Sequence, residues 1–168
     1  MTLTEFCSSL DERLSAQPSD KERLEIMVKA ISQTFKVRPE EVAIFSFDRE
    51  LEIIRFLWPL RLRNAGSIPL SAHNSLVIET VLKNRAALDN YFSTTPHSSV
   101  FEQFRLGPEI PPMPIQKIMS VPLFANGEIK GAIQISRKAP LGNEAGDNFS
   151  TNQLAALSKV AEVCARYI

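Results

Sequence analysis

Few side chains in this sequence are of the types that do chemistry, and their spacing argues against most of it. The two histidines, His73 and His97, each lack a partner at the four-residue spacing of a helical metal site. The two cysteines, Cys7 and Cys164, stand near opposite ends of the chain and form no zinc pattern or disulfide framework. We therefore predict no metal centre, and we expect both cysteines to serve as small apolar residues in helices.

The sequence also lacks the familiar catalytic motifs. It contains no glycine-rich phosphate loop, no HExxH or GxSxG motif, and no carboxylate pair of convincing spacing. Because no nucleophile and base can be assigned, catalysis has no chemical support. The sequence therefore predicts a binding domain and not an enzyme.

Several side chains could instead hold a ligand. Asn74 and Ser75 stand where a helix should begin, and the free N–H groups there could bind an anion, although both residues could simply cap that helix. His97 lies in an irregular loop, where it could hold an anion or haem iron, or be an ordinary exposed histidine. The full predicted ligand-binding set is Trp58, Asn74, Ser75, Asn90, Tyr91, Phe92, His97, Phe101, Phe104 and Ser120, although core packing explains Trp58 and Phe104 equally well.

Composition and charge indicate a single globular domain. The 168 residues are 44% apolar and 23% charged, and acidic and basic residues balance, so neither a nucleic-acid partner nor a membrane surface is expected. Three arginines, Arg55, Arg61 and Arg63, could attract a carboxylate or phosphate, or could simply be solvated. No apolar run approaches the roughly 18 residues of a membrane helix, and the N-terminus is not a secretory signal. A reducing cytoplasm is the expected location.

Helical patterns lie at both ends of the chain. Residues 2–16 show apolar spacing of a helix with a capping box at Thr2, and a second helix begins after Ser19 and ends before Pro39. A last helix begins after Ser150, and its apolar stripe has a spacing close to 3.5 residues. We predict that residues 1–18 form an N-terminal dimerisation or linker helix, and that residues 19–168 form the main domain.

Strand patterns and turns fill the middle of the chain. A hairpin is predicted from 42–47 and 51–58, and a second one from 118–125 and 129–137 around the turn-forming pair Asn126-Gly127. Between them the pattern gives an edge strand at 67–70, a helix at 75–83, a short strand at 86–89 and a proline-rich irregular loop at 92–117. This order favours an α+β architecture with an antiparallel sheet.

The order of the predicted elements, together with the residues of three segments, resembles the GAF family of regulatory domains. The resemblance lies in the Ser67–Leu76 stretch with Arg85–Asn90, in the Ile118–Arg137 hairpin, and in the closing helix, and it covers roughly residues 20–168. It implies a GAF-like, profilin- or PAS-like central sheet of about six antiparallel strands. The terminal helices would cover one face, and a ligand pocket walled by the short helix and the long loop would lie on the other. A PAS-type sensor is the alternative fold.

The resemblance also reduces the number of cofactors to be expected. The Asn-Lys-Phe-Asp-Glu set of cyclic-nucleotide-binding relatives is not recognisable, which disfavours a cyclic nucleotide. No cysteine lies between Cys7 and Cys164, so neither a covalently attached bilin nor the pocket thiols of methionine sulfoxide reductases are expected. Haem is not favoured either, and the cofactor is left unassigned.

Two functions follow from the resemblance. In the first, a small molecule of unknown identity binds the pocket, and the terminal helices pair with a second copy and pass the signal to a separate partner. In the second, the pocket is filled by the domain's own side chains, and the domain serves for dimerisation or docking in a signalling system. A cavity below roughly 100 Å³ would favour the second, because ligand sites commonly measure several hundred.

Overall fold

A six-stranded antiparallel sheet forms the centre of the computed structural model, which describes residues 1–72, 74–97, 102 and 109–168. The strands lie in the order β3-β2-β1-β6-β5-β4. Strand β6 therefore pairs with β1 in the middle of the sheet, its long hairpin partner β5 lies between β6 and β4, and the two shortest strands form the edges. The predicted α+β class is confirmed. The strands are β1 (Val42–Asp48), β2 (Ile53–Trp58), β3 (Ser67–Pro69), β4 (Ala87–Asp89), β5 (Ile115–Ala125) and β6 (Glu128–Lys138).

Within the described residues, four α-helices cover the two faces of this sheet. Helices α1 (Leu3–Ser15), α2 (Asp20–Phe35) and α4 (Thr151–Cys164) lie on one face, and α3 (Leu76–Lys83) lies on the other. Thr2 and Ser150 form the predicted capping boxes, which satisfy backbone N–H groups at the starts of α1 and α4. No helix in the described ranges is long and apolar enough to span a membrane.

The sheet separates two apolar cores. On the helix side, α2 and α4 pack against the sheet and α1 packs on both of these helices, and residues such as Met27, Ile31 and Leu157 are fully buried. On the α3 side, a smaller core joins Val77 and Val81 of α3 to the opposite sheet face. Alternate residues of one strand therefore belong to different cores, as the period of two requires.

The terminal apolar stripes are used inside the chain. Leu10 and Leu14 of α1 and Leu157, Ala161 and Cys164 of α4 are all buried in the helix-side core. Helix α1 packs on α2 and α4, and α4 also packs on β5, so these stripes have partners within the chain. The assignment of residues 1–18 to dimerisation remains a prediction.

The turns agree with the sequence patterns, with two shifts in strand boundaries. Asn126 and Gly127 both have positive φ angles, 55° and 75°, as a type I′ hairpin requires. Strand β2 begins at Ile53 and not at residue 51, because Asp48 Oδ1 accepts the N–H of Leu51 and extends the turn. Strand β5 begins at Ile115, inside the stretch predicted to be loop, because the polar residues after it are buried and pair with β6.

Candidate functional site

The space between the sheet and α3 is almost filled. Apolar side chains from four strands, α3 and the segment after β4 meet there, and the remaining cavity measures about 50 Å³. That volume suits about one or two water molecules and is far below the several hundred Å³ of a small-molecule site. The cavity is lined by Phe45, Phe56, Ile68, Ser75, Leu76, Val77, Phe92, His97, Ile115, Ile118 and Gln134.

A directed chain of hydrogen bonds joins α3 to the sheet beside this cavity. The Thr80 hydroxyl donates to Leu76 O at 2.8 Å, so it accepts from the Ser120 hydroxyl at 2.7 Å. Ser120 in turn accepts from Nε2 of Gln134 at 3.1 Å. All three polar side chains are buried, and each bond removes a desolvation cost. Ser120, a predicted ligand-binding residue, is therefore committed to this chain.

His97 closes the other side of the cavity as part of a second polar pair. Its Nδ1 lies 2.6 Å from Thr95 O, a carbonyl that only accepts, so Nδ1 carries a proton. Its Nε2 lies 2.5 Å from Oε1 of Glu102, and the two atoms form a hydrogen bond. The His97 ring stacks on Phe92 with 4.2 Å between ring centroids.

Both ring nitrogens of His97 therefore have partners within the chain. Its side chain is only 12% exposed, and that of Glu102 is 13% exposed. Oε1 of Glu102 also accepts the N–H of Ile115 at 2.9 Å, which fixes the start of β5. The expectation of an exposed loop histidine is wrong, because the pairing with Glu102 and the stacking on Phe92 draw the ring inward.

A larger groove lies on the outside of α3. It measures about 740 Å³ and is bounded by α3, β4 and the residues on either side of them. Ser75, Leu76 and Phe92 line both this groove and the small inner cavity, so the two spaces adjoin. The groove is lined by the apolar residues Leu70, Ala72, Leu76, Ile78, Leu82, Ala87, Leu88, Phe92 and Pro96, and by the polar residues Ser71, Asn74, Ser75, Glu79, Asp89 and Thr95.

Of the predicted site residues that the structure describes, Asn74, Ser75 and Phe92 meet in this groove. Asn74 adopts a left-handed conformation with φ 57°, which asparagine tolerates better than most residues. Ser75 begins α3 through its backbone carbonyl, which accepts from the N–H of Glu79, but its hydroxyl makes no capping bond. That hydroxyl is therefore not committed to the helix start, contrary to the simple capping alternative.

The charge of the groove is negative. Glu79 forms an ion pair with Lys83 at 2.8 Å, and this hydrogen bond lowers the pKa of the Glu79 carboxyl. Asp89 accepts hydrogen bonds from the Tyr91 N–H and the Thr95 hydroxyl, both at 2.8 Å. The described lining holds two carboxylates and no lysine or arginine. An anionic ligand is therefore disfavoured there.

The three arginines considered from the sequence lie away from the groove. Arg55 is half-exposed and stands 3.9 Å from Asp48, and Arg61 and Arg63 are exposed in the short helical turn Leu60–Asn64. None of them lines the groove. Of the two alternatives that the sequence offered, this favours solvated surface residues over a site for a carboxylate or phosphate.

The remaining predicted site residues lie elsewhere or outside the described structure. Trp58 packs against the helix-side core and donates its indole N–H to Pro39 O at 3.0 Å. Asn90 joins the end of β4 to the residue before α4, because its amide donates to Phe149 O and accepts from the Phe149 N–H. Tyr91 is 73% exposed. Phe101 and Phe104, together with His73, lie outside the described residues.

The two cysteines are neighbours in space, although they lie at opposite ends of the sequence. Cys164 is buried in the helix-side core, and half-buried Cys7 packs against that core from α1. Burial raises the pKa of the Cys164 thiol to about 12, with the nearby Cys7 as a second cause. Burial is also the main cause of the raised pKa of Cys7, followed by Glu162. Thiolate chemistry therefore has no support at neutral pH.

We expect Cys164 to resist alkylation in the folded protein. In a Cys7→Ser variant at pH 7.5, N-ethylmaleimide should leave Cys164 unmodified for hours. In about 6 M guanidinium, which unfolds most stable domains, the same reagent should modify Cys164 fully. Peptide mass spectrometry measures both states, and the Cys164→Ser variant reports Cys7 alone. Rapid modification of Cys164 under native conditions would show that the thiol is accessible and ionisable.

Metal binding has no support from the described structure. Over residues 1–72, 74–97, 102 and 109–168, no group of three or more histidine, cysteine, aspartate or glutamate side chains is placed to hold an ion.

Comparisons with known proteins agree with this architecture. The family model of the GAF domain matches residues 21–168. A comparison with curated protein sequences finds no match. Among solved structures, the GAF domain of an Acinetobacter phosphoenolpyruvate-protein phosphotransferase is 15% identical, with a TM-score of 0.72 over 99% of this chain and 94% of the other.

Two further solved structures share the fold. The GAF domain of a Coxiella burnetii phosphoenolpyruvate-protein phosphotransferase is 12% identical, with a TM-score of 0.71 over 98% of this chain and 90% of the other. A free methionine-R-sulfoxide reductase from Neisseria meningitidis, solved with its substrate, is also 12% identical, with a TM-score of 0.65 over 98% of this chain and 87% of the other. At such identities the likeness concerns the fold alone.

Proposed function

The chain belongs to the GAF domain family, a family of regulatory and sensory domains, and we propose that it binds a small neutral or cationic molecule in the groove beside α3. The observation that carries this proposal is the groove of about 740 Å³, which falls within the range of roughly 300–1,000 Å³ typical of small-molecule sites. Its apolar walls would bury the body of the ligand, and Glu79, Asp89 and the Ser75 hydroxyl would orient its polar groups.

Helix α3 is the element through which binding would act on the rest of the domain. Its residues Leu76, Glu79 and Leu82 line the groove, and Leu82 is 61% exposed although it is a large apolar residue. The same helix bonds to β5 through Thr80 and Ser120. A ligand that covers Leu82 would therefore change the environment of a helix that is anchored to a central part of the sheet.

The proposal is for binding without catalysis. In the part of the chain that the structure describes, the groove lining contains no nucleophile beside a general base, and the two thiols lie in the helix-side core. At 12% identity, the likeness to a methionine sulfoxide reductase concerns the fold alone.

Filling the groove tests this proposal. Ser71 lines the groove and is exposed, so Ser71→Trp should fill the groove with little effect on the core. The control is Ser67→Trp, which places the same side chain at an exposed strand position outside the groove lining. Native mass spectrometry after incubation with the small-molecule fraction of a rich growth medium should show an added mass on the wild type. The Ser67→Trp control should retain it, and Ser71→Trp should lose at least about nine tenths of it, since blocking most of a pocket removes most of its contacts.

The second candidate function is a docking or dimerisation domain without a ligand. The observation in its favour is the inner cavity of about 50 Å³, which is below the size expected of a binding site between sheet and helix. No added mass on any of the three proteins would favour this function. Sedimentation velocity then measures whether the chain forms the proposed homodimer. Half-exposed Leu3 and neighbouring Phe6 on α1 form the apolar surface that would contact a second copy or a separate signalling partner.

A further inference from the structure

Another cavity, of about 320 Å³, differs from the groove in the chemistry of its walls. It lies between the end of β4, the short turn Phe92–Thr94, the start of β5 and the loop before α4. Amide and hydroxyl groups predominate, and the described lining contains one charged residue, Lys117. The lining residues are Asn90, Tyr91, Ser93, Thr94, Gln116, Lys117, Gly142, Asn143 and Asn148.

Lys117 is a buried cation with too few partners. The residue is 7% exposed, and its ammonium donates to Gly146 O at 2.6 Å. An ammonium has three N–H donors, and no carboxylate of the described residues lies within the 4.0 Å of an ion pair with it. The neighbouring acids of the loop, Glu144 and Asp147, are exposed. Burial of an ionised group without an opposite charge is costly.

A second cation stands directly across the sheet from Lys117. Arg137 is its register partner on β6, and like charges in such a position destabilise a sheet. The Arg137 guanidinium donates to the carbonyls of Phe35 and Lys36, and it lies 4.6 Å from the ring centroid of Phe149. Its Nε is buried and has no hydrogen-bond partner. Among the described residues, neither of these two cations forms an ion pair.

We propose that this cavity binds the oxyanion of a small molecule, a carboxylate or a phosphate group, with Lys117 as its counter-charge. Two free donors of the Lys117 ammonium match the lone pairs of such a group, and the amides of Asn143 and Asn148 stand in the same cavity as further donors. Gln116 holds the wall in place, because its amide already donates to Ala139 O and Pro140 O. The cavity shares no described lining residue with the groove, which is proposed to take a neutral or cationic ligand, so this is a separate site.

The test compares two substitutions that remove the same charge. Lys117→Met deletes the buried ammonium, and Lys130→Met deletes a more exposed one, which pairs with Glu128 near the other end of the β5–β6 hairpin. Sodium phosphate and sodium acetate are titrated separately at constant ionic strength, with sodium chloride as the balancing salt. Amide NMR shifts at Gly142, Asn143 and Asn148 report binding, and the melting temperature reports stabilisation.

We expect saturable shifts at these three amides for the wild type and for Lys130→Met, and at least a tenfold weaker response for Lys117→Met. A response to phosphate alone identifies a phosphate group, and a response to acetate alone identifies a carboxylate. Equal responses in all three proteins, or stabilisation without shifts at these amides, would overturn the proposal.

A second variant keeps the test decisive if Lys117→Met fails to fold. Asn143→Asp places a carboxylate in the same cavity, where it would serve as the missing counter-ion. We expect this variant to melt at a higher temperature than the wild type in chloride and to lose the response to phosphate and acetate. A lower melting temperature with an unchanged response would contradict the role assigned to Lys117.

Discussion

Gly131→Ala should destabilise the domain by at least about 3 kcal/mol, at the upper end of the cost of overpacking a core. Gly131 lies in β6, directly against β1. A Cβ atom there would stand 1.8 Å from Phe45 O and 2.8 Å from Phe45 C, so it would overlap the backbone of the adjacent strand. No side-chain rotation relieves this overlap, and β1 and β6 would have to separate in the middle of the sheet.

Urea denaturation followed by circular dichroism measures this effect. Gly142→Ala is the matched control, because its added Cβ would meet only the Gln116 side chain at an ordinary 3.6 Å. We expect the control to stay within about 1 kcal/mol of the wild type, as for most surface changes. A Gly131→Ala protein as stable as the control would mean that β1 and β6 are not paired as described.

Lys138 should make the stability of the protein rise between pH 8 and 10.5. Burial is the main cause that lowers the pKa of this ammonium from 10.5 to about 8, against the opposing effects of Glu41, Glu102 and Glu40. Between the two values the unfolded chain binds a proton at this position that the folded chain has lost, so unfolding becomes less favourable as pH rises. Each pKa unit corresponds to about 1.4 kcal/mol, so the whole gain is roughly 3 kcal/mol.

A difference measurement isolates this contribution, because the raised pKa values of the thiols and of Tyr167 act in the opposite direction at high pH. The free energy of unfolding of the wild type minus that of Lys138→Met should stay constant below pH 8 and rise above it. The same difference taken with Lys159→Met, an exposed lysine, should stay constant throughout. A flat difference for Lys138→Met would contradict the burial of its charge.

The sequence predicted those parts of the fold that local chemistry determines. Asn126-Gly127 identified the hairpin, and Thr2 and Ser150 identified the starts of two helices, because turn and cap residues act through atoms a few positions away. The start of β5 was placed three residues too late, since Gln116 and Lys117 interrupt the apolar run. Their hydrogen-bond partners, Ala139 O and Gly146 O, come from a distant loop that no local pattern reveals.

The candidate site was predicted only in part. Asn74 and Ser75 were chosen because a helix begins there, and that local reason brought them to the groove. Glu79 and Leu82 were missed, although an exposed leucine on a short amphipathic helix was a usable signal. His97 was chosen for its chemistry, but its pairing with Glu102 and its stacking on Phe92 depend on tertiary contacts, which single-residue reasoning does not reach.

The alternation of side chains along β5 limits how strongly the two faces of the domain are coupled in free energy. Ser120 holds α3, while Met119 and Val121 on either side of it belong to the core beneath the terminal helices. One buried hydrogen bond contributes about 1 kcal/mol, so breaking the Thr80–Ser120 contact alone would shift an equilibrium between two conformations roughly fivefold. Stronger switching requires that α3 move as a unit, with Val77 and Val81 leaving their places together. A ligand in the groove that breaks only the Thr80–Ser120 hydrogen bond would therefore shift the conformational equilibrium modestly. Only a ligand that displaces the whole helix would switch the domain from one conformation to the other.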